Sequence, residues 1–141
     1  MSPRLKFTKN LQVVMWKVIY EEFNKFYPLP DYCLVKIEVT DKMTRAAGYT
    51  FPDINTIKLS SILINNVPTL WTVMAHELAH LHLFFKHGVH QVQPHGREFK
   101  NIIRFFNYNY PRLPKLSVLH SIPLKFKYDL FCKNCNAILK N

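Results

Sequence analysis

Apolar positions recur along this chain with two different periods. Between residues 8 and 27, Leu11, Met15, Ile19, Phe23 and Phe26 fall on one side at helical spacing, and Pro28 and Pro30 stop the run. Residues 33–40 alternate instead. Val35, Ile37 and Val39 face one way and Lys36, Glu38 and Thr40 the other, which predicts a half-buried strand. A hairpin is predicted near 45–51 and 56–60, turning through Pro52-Asp53-Ile54-Asn55. Helical spacing returns with Leu70, Val73, Met74, Leu78, Leu81 and Phe85, a helix near 68–87. Asn66 or Thr69 can cap its start, Pro68 fits its first turn, Lys86 and His87 suit its negative end, and Gly88 can terminate it. A last helix near 96–107 carries Phe99, Ile102, Ile103 and Phe106 as its stripe. After Pro111 the chain is Pro- and Lys-rich and reads as extended. Helix, three-stranded sheet and two helices make an α+β core over residues 1–111, followed by a basic tail over 112–141.

The fourth of these segments carries chemistry. His76-Glu77-Leu78-Ala79-His80 places two imidazoles one helical turn apart, on one face, where both can reach one metal ion. Glu77 is adjacent to that face and can touch a water there. H-E-x-x-H is the zincin signature: two zinc ligands and the general base of a zinc hydrolase. Two histidines on a helix can also be packing or surface residues. The glutamate between them favours the catalytic reading.

A catalytic zinc needs a third protein ligand and an open position. The candidates after His80 are His82, His87, His90, His95, Glu98 and His120. His82 is two residues on and points away from the His76/His80 face. His87 is too close along the same helix. His95 follows a Gly- and Pro-containing loop and opens the next helix, so it can be presented to the metal. Glu98 is the rival ligand; otherwise it serves behind the ligands, holding Arg97 or a group on the first motif helix. Arg97 and His82 are further candidates for supporting positions. Among oxyanion donors, His82, His87, His90, Tyr49 and Arg97 remain open.

The run His76-Glu-Leu-Ala-His80, then His95-Gly-Arg-Glu-Phe99 after fourteen residues, resembles the SprT-like metalloproteases. That family includes the eukaryotic Spartan-type DNA–protein crosslink proteases and the small bacterial SprT proteins. The similarity extends upstream to Arg45-Ala-Ala-Gly48 and Ile57-Lys-Leu-Ser60, and downstream to Lys127-Tyr128 and the Cys132-x-x-Cys135 pair. It implies a minimal zincin-like metalloprotease core, one catalytic Zn2+, and a partial zinc-ribbon-like tail. It also implies an endopeptidase that acts on DNA-bound or DNA-crosslinked proteins. This chain departs from the pattern in the tail. Cys132 and Cys135 form one knuckle without its mate, whereas tetrahedral structural zinc needs four ligands. A second, structural zinc on Cys132 and Cys135 and a pair of free thiols are both open.

Composition narrows the partners. The chain has 141 residues, 48% of them hydrophobic, enough for one domain with a core of its own. No run is long and apolar enough to span a bilayer, so no membrane partner is expected. The start, Met-Ser-Pro-Arg-Leu-Lys, has no apolar signal region, and three cysteines show no disulfide framework. An intracellular location is therefore expected, cytoplasmic in a bacterial or viral setting and nuclear in a eukaryotic one. The formal charge of +10 is uneven. Residues 100–141 hold eight Lys or Arg against the single acid Asp129. Aromatics are interleaved with these bases, the footprint of a sequence-tolerant single-strand binder. Arg112, Lys115, Lys125, Lys127, Tyr128 and Lys133 are the candidate contacts to single-stranded or junction DNA. Two other readings compete: a DNA-independent zinc peptidase, and a non-catalytic nucleic-acid-binding or adaptor module that retains a zincin core. The intact Glu77 speaks against the last, because a structural site has no use for that base.

Overall fold

The computed structural model describes residues 9–64, 66–88, 96–110, 130–131 and 138–139. In chain order these form α1 (Lys9–Asn24), β1 (Lys36–Thr40), β2 (Gly48–Phe51), β3 (Thr56–Ser60), α2 (Val67–His87), α3 (Arg97–Asn109), β4 (Leu130–Phe131) and β5 (Ile138–Leu139). The expected α+β order of helix, three strands and two helices is the observed one.

β3 is the centre of the sheet, with β1 parallel on one side and β2 antiparallel on the other. The β2–β3 hairpin turns through a short 3-10 segment and Asn55, whose φ of 48° and ψ of 46° are left-handed. Asn tolerates that conformation because its short polar side chain bonds locally. The connection from β1 crosses to the far side of β3 and is pinned there. Ser60 Oγ donates to the Met43 carbonyl at 2.6 Å, and the Ser60 amide donates to the Ala47 carbonyl at 3.0 Å.

Strand alternation decides what β2 offers the rest of the fold. Gly48 and Thr50 are buried, while Tyr49 and Phe51 are half-buried on the opposite face. There the Tyr49 and Phe51 rings stack at 4.2 Å, and the Lys58 ammonium lies 5.4 Å from the Phe51 ring centre. β2 is also an edge strand, with one side of its backbone ladder unpaired within the sheet.

α2 is buried almost all round, as its largely apolar sequence requires. Its start is capped by Asn66, whose side chain accepts from the Thr69 amide at 2.8 Å. Its end is closed by Gly88 at φ 77°. α1 and α3 pack on it and on each other. The Phe23 and Phe106 rings stack at 5.0 Å, and Tyr110 donates to Glu22 Oε1 at 2.7 Å. Ile19, Phe23, Leu70, Met74, Leu78, Phe99 and Ile103 form much of the core. Each such side chain contributes about 1.5–3 kcal/mol by leaving water.

Two boundaries differ from expectation for a local reason, and one side chain differs in burial. α1 ends at Asn24 and not at 27. The Asn24 carbonyl oxygen Oδ1 accepts from the Leu29 amide at 2.7 Å and draws the chain off the helix before Pro28. Phe26 is consequently half-exposed, at 47%. β1 begins at Lys36 and not at 33, because Asp31 caps a 3-10 turn over Tyr32–Leu34 by accepting from the Cys33 amide at 3.0 Å. Phe85, counted in the apolar stripe of α2, is 52% exposed. It lines an open groove with Phe26, Tyr27, Pro28 and His82.

In the tail, β4 and β5 pair antiparallel, Leu130 with Leu139 and Phe131 with Ile138. They bracket the segment holding Cys132 and Cys135. Those two cysteines lie outside the described residues, as do His95, Arg112, Lys115, Lys125, Lys127, Tyr128 and Lys133.

Candidate active site

α2 sets the two histidines by its own geometry. The His76 and His80 rings face each other with centroids 5.0 Å apart and planes at 69°. His76 is fully buried and His80 half-buried, so one ring anchors the pair inside and the other reaches its rim. α3 supplies their backing. The Phe99 ring lies 4.8 Å from each imidazole, at 70° to His76 and 36° to His80. Edge-to-face and tilted contacts of this kind favour one ring orientation over another.

Glu77 points to the sheet. It is fully buried, and Thr50 Oγ1 donates to its Oε1 at 2.5 Å. The same hydroxyl is 3.3 Å from the Glu77 backbone carbonyl, a weaker alternative. Gly48 makes room beside it. A Cβ at Gly48 would stand 2.9 Å from both Cγ and Oε2 of Glu77 and 3.0 Å from Val73 Cγ1. Gly48 and Thr50 are i and i+2 on one face of β2, so a single strand gives the carboxylate both its space and its bond. Glu77 Oε2 is buried and accepts no hydrogen bond from the described residues.

These features fit a metal and a water. A buried carboxylate oxygen without a donor costs free energy unless a bound species satisfies it. Two imidazoles beside it are donors suited to zinc. Among the described residues no third His, Cys, Asp or Glu joins His76 and His80 in a group able to hold a metal.

Glu98 stands elsewhere. Its Oε2 takes the Lys86 ammonium at 2.9 Å and its Oε1 lies 2.8 Å from His87 Nε2, closing the start of α3 onto the end of α2. The Lys86 ammonium holds this carboxyl below its ordinary range, and His87 adds to that. Among the described residues it forms no metal-holding group with His76 and His80. His82 turns to the opposite side of α2, donating from Nδ1 to the Pro28 carbonyl at 2.7 Å with the Tyr27 ring at 5.4 Å. Burial pushes its imidazole pKa down, against the pull of that carbonyl. Arg97 is exposed at the first turn of α3. Of the oxyanion candidates, Tyr49 stacks on the outer sheet face, His82 is against Pro28, and His87 is against Glu98.

Thr50 is the site residue that sequence reasoning missed. Its one available signal was position: it lies two residues beyond Gly48 on a strand whose alternate side chains face inward.

Comparison with known proteins places the chain. The family model described as "SprT-like family" matches residues 17–120, and the chain belongs to that family. It is 30% identical over 97 residues to Protein SprT of Vibrio parahaemolyticus serotype O3:K6, covering 67% of this chain and 54% of that protein. It is 40% identical over 62 residues to Protein SprT of Glaesserella parasuis serovar 5, covering 43% of this chain and 38% of that one. The chain thus spans about half the length of the first of these relatives and less of the second. Among solved structures it is similar to the metallopeptidase zymogen abylysin of Pyrococcus abyssi. That match has a TM-score of 0.40 and 19% identity, over 72% of this chain and 97% of that one. Among the described residues no helix is long and apolar enough to cross a membrane.

Proposed function

We propose that this chain is a zinc-dependent endopeptidase acting on DNA-bound or DNA-crosslinked proteins. One observation carries the peptidase reading: a buried glutamate, held by strand β2, follows directly on the first of two histidines whose imidazoles meet on one helix. His76 and His80 would hold the metal, with His95 as the third ligand. Bound there, zinc supplies Lewis acidity toward a water and a peptide carbonyl. Glu77 takes the proton of the attacking water at Oε2 and delivers it to the leaving amine nitrogen. Phe99 keeps both imidazoles oriented, and Thr50 fixes the Glu77 carboxylate against β2. The DNA part of the reading is supported by charge. Eight Lys or Arg against one acid in residues 100–141 suit contact with phosphates, and the aromatics among them suit stacking on unpaired bases.

The test is metal removal and return. Chelated protein should lose cleavage of a denatured protein substrate, and stoichiometric zinc should restore it. Cleavage that survives complete removal of metal would refute the zinc peptidase.

A further inference from the structure

The mechanism asks Glu77 to present one particular carboxylate oxygen to the reaction, yet a glutamate carboxylate rotates readily about its last torsion. The fold answers from β2. Thr50 and Glu77 are 27 residues apart in sequence, and their side chains meet at 2.5 Å in a place where Thr50 is 1% exposed and Glu77 0%. Valine would fill the inward position of an edge strand equally well and carries higher strand preference without a hydroxyl to satisfy. A buried hydroxyl there is favourable only if it is bonded, and its shortest acceptor is the carboxylate.

We propose that Thr50 is the positioning residue of Glu77. By donating to Oε1 it fixes the carboxylate plane and leaves Oε2, which accepts no hydrogen bond from the described residues, as the oxygen with capacity to take a proton. Gly48 completes the arrangement, because its missing Cβ is what lets Cγ and Oε2 lie against the strand. The inference rests on the reading of Glu77 as general base. It goes beyond that reading by assigning a role to a strand residue outside the H-E-x-x-H motif. The unpaired edge of β2, where an extended peptide could add as a further strand, does not involve this side chain. Loss of the hydroxyl should therefore fall on the chemical step and leave substrate capture alone.

The experiment uses the full chain loaded with zinc and a labelled denatured casein as probe. Thr50→Val removes the hydroxyl at equal volume, and Thr50→Ser keeps it. The expected result for Thr50→Val is a fall in kcat of roughly 10- to 100-fold, the usual size for loss of an orienting partner, with KM within about twofold. Thr50→Ser should recover most of kcat. A second readout does not depend on turnover: the Thr50 hydroxyl proton should be protected from exchange in NMR spectra and should shift in Glu77→Gln. Wild-type kcat in Thr50→Val would overturn the proposal, as would a Thr50→Ser variant as impaired as Thr50→Val. A hydroxyl resonance indifferent to Glu77→Gln would overturn it as well. A wild type that cleaves nothing under zinc-replete conditions would remove the peptidase reading itself, and the inference with it.

Discussion

Gly48 lies so close to Glu77 that no side chain can stand between them. A Cβ built there would be 2.9 Å from Cγ and from Oε2 of the glutamate. Neither Glu77 nor the strand backbone can yield cheaply, since Thr50 holds the carboxylate from the same strand face.

Gly48→Ala should therefore displace Glu77 from its place. We expect a loss of about 1–3 kcal/mol in stability from overpacking, together with a large fall in peptide cleavage. Denaturant unfolding and a cleavage assay on the same preparation check this. Wild-type values for both would mean that β2 moves away freely.

Phe99 is the counterpart on the histidine side, with its ring centre 4.8 Å from each imidazole while fully buried. Phe99→Ala should cost roughly 3–5 kcal/mol as a core cavity. The milder Phe99→Leu should fold and yet bind zinc about tenfold more weakly or worse, because the rings lose their fixed backing. Zinc titration against a competing chelator gives the answer. Unchanged affinity in Phe99→Leu would reduce Phe99 to a packing residue.

Glu98 links pH to the α2–α3 junction. Its carboxyl is held below the ordinary value of 4.5, first by Lys86 and then by His87. A group depressed in the folded state contributes stability above its unfolded pKa, and that contribution is lost as pH falls through the folded pKa. With the side chain 42% exposed, the effect is small, about 1 kcal/mol or less. Wild type should melt slightly above Glu98→Gln at neutral pH, and the gap should close as pH falls below the ordinary carboxylate range. A gap that stays constant over that range would show that the ion pairs contribute nothing.

How much of this could be read beforehand depends on how local each feature is. α2 was legible because its signals are neighbours in sequence: Asn66 caps it, Pro68 opens it, Gly88 closes it, and His76, Glu77 and His80 lie within one turn. The hairpin was legible from alternation and from Asn55 at its turn. The end of α1 and the start of β1 were misplaced because single side chains, Asn24 and Asp31, captured backbone amides that periodicity had assigned to regular elements. The Thr50–Glu77 bond joins residues 27 apart and needs the β2–α2 packing before it exists. The exposure of Phe85 likewise depends on tertiary structure, the open groove it lines with Phe26, Tyr27, Pro28 and His82.

The basic tail makes a separate prediction. Reversing Lys115, Lys125 and Lys127 to Glu should weaken binding to single-stranded DNA and any DNA-stimulated cleavage together, leaving zinc content unchanged. If about five to seven phosphates are contacted, the log–log salt slope should be about −3 to −5 for single strands. An absent or salt-insensitive interaction in gel-shift titrations would favour the DNA-independent peptidase.

The central claim is that Glu77 is the proton acceptor of a zinc peptidase, and Glu77→Gln tests it most directly. The substitution keeps size, and the amide oxygen can still accept from Thr50, but the proton acceptor is gone. The predicted result is a folded protein with wild-type zinc content and no measurable cleavage of a protein that the wild type cuts. Full cleavage by zinc-loaded Glu77→Gln would contradict the account.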